Sequence, residues 1–316
     1  MAAAGFAVVA IGGNALIRDR AHESFADQYD AVCALAAQIA ALIEAGWRVA
    51  LTHGSGPQVG FALRRSELAL REVAPEPMDY ATADVQGAMG YMFARALHNE
   101  FRARRLAREA VAIVTQIVVD RLDPAFARPS KPVGSHMDEP RALQLAARYG
   151  WVVREDAGRG WRRVVPSPRP KSIVEGEAIR RLAEQGTVVI ACGGGGIPVV
   201  ADDAGRLCGV EAVVDKDFAA SLLARELGAD TLLMVTGVEK VALDYLGPRR
   251  RWLDCLTLDE AKRHLAQGQF AEGSMGPKVA ALIEFLEGGG RGGVVTDRPN
   301  LMRAMRGETG TRLVRE

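Results

Sequence analysis

The sequence predicts an α/β protein: a mostly parallel sheet covered by helices on both faces, with a small antiparallel excursion. Three observations predict it. Short apolar, β-branched runs alternate with stretches of helical period over most of the 316 residues. The apolar runs are continuous, as strands buried on both faces are. Glycines gather where these runs end, and that is where open α/β sheets bind their ligands.

Taken in order, residues 6–11 read as the first strand, which ends in Gly12-Gly13-Asn14. Residues 28–44 read as a helix, with Val32, Leu35, Ile39, Leu42 and Ile43 on one face and Gly46 past its end. Residues 48–52 form a second strand, followed by His53-Gly54-Ser55-Gly56-Pro57. Residues 59–72 are helical, Pro75 and Pro77 break the pattern, and Thr82 or Asp84 caps a helix that runs to about residue 108. Residues 110–119 read as one apolar strand. The stretch 122–165 is richer in proline, arginine and charge. Within it, residues 151–154 and 161–165 flank Asp156-Ala157-Gly158-Arg159-Gly160, which is a hairpin signature. Alternation then resumes. A helix covers 172–185, and a strand at 188–192 ends in Gly193-Gly194-Gly195-Gly196. A helix covers 217–227, and a strand at 231–235 ends at Thr236-Gly237. Helices at 258–267 and 275–286, a strand at 293–296 and a short helix at 301–305 complete the chain.

Composition narrows the function. With 40 Lys+Arg against 39 Asp+Glu the net charge is +1, so no broad basic field argues for nucleic acid or a membrane surface. No stretch is long and apolar enough for a membrane span, and the N-terminus lacks the basic region of a signal peptide. The four cysteines, Cys33, Cys192, Cys208 and Cys255, form no CxxC pair and read as buried free thiols of a reducing, cytoplasmic protein.

The strand ends carry the chemistry. Glycine there lets backbone N–H groups and helix N-termini approach an anion closely. There is no GxxxxGK[ST]; Gly193-Gly194-Gly195-Gly196 runs into Ile197-Pro198 and does not complete GxGxxG; His53 replaces the first glycine of GxSxG around Ser55; and the five histidines show no metal-ligand spacing. Only six basic residues are lysine, and two of them open helices. Lys216 lies in Val214-Asp215-Lys216-Asp217, and Lys278 follows Gly276-Pro277. The macrodipole disfavours a cation at a helix start, so an anion is the better explanation for each. Backbone donors and positive charge aligned along a transferring group are the equipment of phosphoryl transfer.

The motifs GGNAL (12–16), HGSGPQVG (53–60), SKPVG (130–134), EDAGRGWRRVVPSP (155–168), CGGGGIPV (192–199), AVVDKD (212–217) and GSMGPKV (273–279) resemble those of carbamate kinases, in the amino-acid kinase superfamily. SKPVG and the EDAGRG-to-PSP stretch are the most specific of them. The resemblance implies a three-layer αβα sandwich with a protruding lid at 122–165, an acceptor-side lobe over about 1–212 and a nucleotide-side lobe over about 213–316. It implies ATP + carbamate ⇌ ADP + carbamoyl phosphate with Mg²⁺ on the nucleotide phosphates and no direct protein ligand to the metal. It further implies a cytoplasmic homodimer that makes ATP in arginine catabolism.

Carried over by position, Lys131, Lys216, Asp217, Lys278 and Asn14 are implied as catalytic. Gly12, Gly13, Gly54, Ser55 and Gly56 are implied to bind the acceptor and the phosphoryl group. Gly194, Gly195, Asp215, Thr236, Gly237, Tyr245 and Met275 are implied on the nucleotide side. The chain departs from the family pattern at Ser55, where asparagine is usual, at Ser135-His136-Met137, and over 84–91. Another small-acid kinase of the superfamily, or a silent nucleotide binder, remains the alternative.

Overall fold

The first strand begins the main sheet, against which most of the helices pack. The computed structural model describes residues 5–13, 16–17, 19, 21–156, 158–245, 247–271 and 273–316. The first part runs β1 (Gly5–Ile11), α1 (Phe25–Glu44), β2 (Trp47–His53), α2 (Gly56–Ala69), α3 (Met78–Ala103), β3 (Ala110–Ala112) and β4 (Gln116–Val119). The excursion over 122–165, the expected lid, comprises α4 (Pro124–Ala127), β5 (Lys131–Met137), α5 (Glu139–Tyr149), β6 (Val152–Glu155) and β7 (Trp161–Val165). Then come β8 (Pro170–Ile173), α6 (Gly176–Glu184), β9 (Val188–Ile190), β10 (Ile197–Ala201), β11 (Leu207–Gly209), α7 (Lys216–Glu226) and β12 (Thr231–Thr236). The chain closes with β13 (Val241–Leu243), β14 (Arg251–Leu253), β15 (Cys255–Thr257), α8 (Leu258–Ala266), α9 (Met275–Glu287), β16 (Gly292–Asp297), α10 (Leu301–Met305) and β17 (Thr311–Val314).

The main sheet has eight strands in the order β15-β17-β16-β12-β1-β2-β9-β3, and α1, α3, α6, α7, α8, α9 and α10 pack against it. The six from β16 to β3 are parallel, and β17 reverses direction against β16. The period of two in β1 is visible in its packing. Phe6, Val8 and Ala10 join a core with residues of α7 and α9, while Val9 and Ile11 join another with residues of α1 and α3. Two apolar layers around one sheet make the three-layer sandwich. Smaller sheets flank it: β11-β10-β4-β8, the β13-β14 hairpin, and the antiparallel lid sheet β5-β7-β6.

Several expectations need correction. The run 110–119 is two strands in two sheets. It breaks where the Thr115 N–H donates to Gln86 Oε1 at 2.7 Å and the Thr115 hydroxyl donates to Ile113 O at 2.7 Å. α3 starts at Met78 behind Pro77, and the Thr82 hydroxyl donates back to Met78 O at 2.8 Å instead of capping. The helix also ends early, because Arg105 turns to φ 57°. Residues 172–173, the expected start of the helix over 172–185, belong instead to β8, which pairs with β4, and the helix begins at Gly176. The lid contains α5, capped by Asp138 with Pro140 in its first turn. The cysteines are free, but only Cys192 is fully buried; Cys208 and Cys255 sit on edge strands and are exposed. Among the described residues no helix is long and apolar enough to cross a membrane.

Candidate active site

The tips of β1, β2 and β12 are knitted together. The Gly12 N–H donates to Val235 O at 2.9 Å and the Gly54 N–H donates to Ile11 O at 2.7 Å. At Gly54 the approach is too close for a side chain: a Cβ would stand 2.7 Å from Gly13 N and 2.9 Å from Lys216 Cδ. At Gly194, with φ +70°, a Cβ would meet Ser55 Oγ at 2.3 Å. Glycine here is a packing requirement that lets the strand tips approach one another.

These tips border a cavity of about 500 Å³. Of the residues expected from the sequence, Gly12, Gly13, Gly54, Ser55, Gly56, Lys131, Gly194, Asp215, Lys216, Asp217, Thr236, Gly237, Tyr245, Met275 and Lys278 all line it. Gly195 does not. Its Cβ position lies 2.0 Å from Val214 O, so it supports the chain leading into α7 from behind. Asn14 lies outside the described residues.

Charge in the cavity is organised around two carboxylates. Asp215 is the N-cap of α7, accepting from the Asp217 N–H at 3.0 Å, and it also accepts from Lys131 Nζ of the lid at 2.9 Å. Burial pulls the Asp215 carboxyl up. The Lys131 ammonium, the Asp217 amide and Lys216 outweigh that pull and leave it below the usual carboxylate value. Asp217 is 3% exposed and holds two ammoniums, Lys216 on Oδ1 and Lys278 on Oδ2, the latter at 3.1 Å. Burial, then the like charge of Lys216, push Lys278 below its ordinary value, against the pull of Asp217. Three ammoniums from the lid, α7 and α9 thus face one cleft over two carboxylates. The helix N-termini of α2, α7 and α9 reach the same cleft, which is a setting for a polyanion.

Sequence reasoning missed other wall residues. Lys240, paired with Asp254 at 2.5 Å, and Phe270 also line the cavity. The scarcity of lysine is a signal that could have found Lys240; nothing local marks Phe270. Below the tips His53 is buried and stacked on Phe93, with ring centroids 5.5 Å apart. Burial lowers its pKa to about 4, against a weaker opposing hydrogen bond to Gly54, so the ring is neutral at pH 7.

Among the described residues no three His, Cys, Asp or Glu side chains are grouped to hold a metal. Both cavity carboxylates are already committed to lysines. This donor set fits a magnesium ion carried in on nucleotide phosphates, and it does not fit a dedicated protein cage.

The sequence model described as "Amino acid kinase family" matches residues 5–297. The chain is 46% identical to the carbamate kinase of Pyrococcus horikoshii, over 97% of this chain and 98% of that protein. It is 47% identical to the "Carbamate kinase-like protein YahI" of Escherichia coli, over 98% of each. The solved carbamate kinase of Giardia lamblia bound to AMP-PNP matches it with a TM-score of 0.94 at 40% identity, covering 99% of each chain.

Proposed function

The chain belongs to the amino acid kinase family, among its carbamate kinases, and from that premise we propose how its cavity moves a phosphoryl group. The enzyme is a phosphotransferase for ATP + carbamate ⇌ ADP + carbamoyl phosphate. The observation that carries the residue roles is the convergence of Lys216 and Lys278 on Asp217, with Lys131 latched to Asp215 at the rim of the same cavity.

Phosphoryl transfer spreads charge over the three equatorial oxygens of the migrating group. Lys216 and Lys278 meet that charge on the β- and γ-phosphates, and Asp217 sets the spacing of the two ammoniums. Backbone N–H groups at Gly13, Ser55 and Gly56 cradle the group, while Gly12 and Gly54, tied by their own N–H groups to Val235 and Ile11, hold those turns in place; Asn14 is assigned to the same group by its place in the motif. Lys131 descends with the lid onto the acceptor end. Asp215, Thr236, Gly237, Tyr245 and Met275 hold the nucleotide side, with Gly195 bracing from behind; Gly194, assigned to that side from the sequence, packs on Ser55 at the acceptor end instead. The attacking carbamate oxygen is already anionic, so no general base is needed, and positioning and charge supply the catalysis. Magnesium on the nucleotide neutralises phosphate charge.

In this reading the acceptor lobe covers about 1–212, the nucleotide lobe about 213–316 and the lid 122–165. The enzyme works in the cytoplasm, in the ATP-forming direction of arginine catabolism, as a homodimer. Tyr80 and Tyr91, 66% and 60% exposed on one face of α3, supply apolar surface for a second copy.

The test is ATP formation from ADP with carbamoyl phosphate, run beside acetyl phosphate and N-acetylglutamyl phosphate. Carbamoyl phosphate should be used at least tenfold better in kcat/KM. A preference for either rival phosphate, or no transfer at all, would reject the reading.

A further inference from the structure

Beyond the acceptor end of the main cavity lies a second chamber of about 100 Å³. The two share Ser55, Gly56, Lys131, Gly194 and Val213, so the chamber continues the cavity under the lid. It has room for carbamate, with its four heavy atoms. Val59, Leu63, Met78 and Val133 make most of its wall apolar.

Two charged residues line the chamber, Lys131 and Arg162, and they differ in what they already hold. The Lys131 ammonium is engaged by Asp215 at 2.9 Å. Arg162, on β7, donates from Nη2 to Gly134 O at 3.0 Å, and its Nη1 stands 3.5 Å from Asp156 Oδ2. Asp156 is claimed more closely by Arg159 at 2.7 Å and by His136 at 2.9 Å. The Arg162 Nε is buried and has no partner among the described residues. A buried donor on a charged group costs free energy until it is given an acceptor. The guanidinium is planar, so fixing Nη2 on Gly134 also fixes the direction of Nε–H, which a lysine cannot do.

We propose that Arg162 is a further acceptor-binding residue. Its Nε–H donates to the non-attacking oxygen of carbamate or, in the ATP-forming direction, to the carbonyl oxygen of carbamoyl phosphate. That contact selects which oxygen faces the transferring phosphorus. The inference rests on the carbamate kinase reading above and adds the group that orients the acceptor.

The experiment measures KM for carbamoyl phosphate and for ADP in the wild type, Arg162→Lys, Arg162→Met and Asp156→Asn, each checked for cooperative unfolding. Loss of one hydrogen bond to a charged group predicts a rise in the carbamoyl phosphate KM of about ten- to a hundredfold in both Arg162 variants. The ADP KM should stay within about twofold, since this donor lies at the acceptor end. Asp156→Asn leaves Nε–H in place and should behave as wild type. If Arg162→Met does not fold, Arg162→Lys, which keeps the charge and loses the planar donors, decides together with Asp156→Asn as the control for lid structure. An unchanged carbamoyl phosphate KM in the Arg162 variants would overturn the proposal, as would an equal rise for both substrates. So would the same defect in Asp156→Asn, because Arg162 would then act through lid structure. A wild type that makes no ATP from carbamoyl phosphate would fail earlier, taking the functional reading with it.

Discussion

At the scale of single residues, the site is a problem of like charges held close together. Lys216 and Lys278 repel each other, and Asp217 makes their approach affordable. A bound polyphosphate takes over that role, so each ammonium is most useful when charge is migrating. Replacing either Lys216 or Lys278 by Ala should lower turnover by roughly 10²–10³, as loss of one preorganised electrostatic donor does. The melting temperature should hold within a few degrees, since the remaining lysine still pairs with Asp217. Near-normal turnover in both variants, measured by coupled ATP formation, would contradict the roles given to them. His53 makes a separate statement about stability. Its ring stays neutral in the fold down to pH about 4, whereas the unfolded chain protonates it from 6.5. The unfolded state therefore binds more protons in that window, and stability falls as pH falls through it. Between pH 7 and pH 5 this one group should cost about 2 kcal/mol. Urea unfolding at the two pH values should show that loss in the wild type and a flatter dependence in His53→Gln. Identical dependences would place the acid sensitivity elsewhere.

At the scale of elements, Asp215 joins two jobs that can be separated. It caps α7 and it latches the lid through Lys131. Asparagine caps a helix as well as aspartate does but cannot hold an ammonium by charge. Asp215→Asn should thus keep nearly the wild-type melting temperature, while Asp215→Ala loses about 1 kcal/mol with the cap. Both should raise the KM for carbamoyl phosphate; a normal KM in Asp215→Asn would remove the latch. Elements of this kind were largely legible in the sequence. α7 and α9 announce themselves by period, and their charged first turns stand out because a helix start repels cations. That the two turns meet at one carboxylate was not legible, since their separation is spanned only by the tertiary fold. The run 110–119 misled for a physical reason: an apolar strand that switches sheets keeps its hydrophobicity through the switch, and the hydrogen bonds of Thr115 to Gln86 and Ile113 mark the break. α5 was hidden because Pro140 reads as a breaker, although proline is tolerated in a first turn. Gly195 was read as a binding glycine when its close neighbour is the Val214 carbonyl.

At the scale of the whole molecule, the two proposed lobes share one sheet. β1 belongs to the acceptor lobe, yet it pairs along its length with β12 of the nucleotide lobe, from Ala7↔Thr231 to Ile11↔Val235. One of its faces is covered by residues of α7 and α9, which also come from beyond residue 212. Cutting the chain there would turn β1, buried on both faces from Phe6 onward, into an open edge with one side bare. A long, flat apolar edge is an aggregation template. A fragment of residues 1–212 expressed alone should therefore aggregate, and 213–316 should fail to unfold cooperatively. The full chain should unfold in one transition, which ADP shifts upward by binding across the junction. The shift should be about 2.7 kcal/mol at a hundredfold excess over Kd. A soluble 1–212 fragment with its own cooperative transition would show that the lobes are independent folding units. The cleft would then be a docked interface between them, and the fixed spacing of Lys131 from α7 and α9 would need another cause.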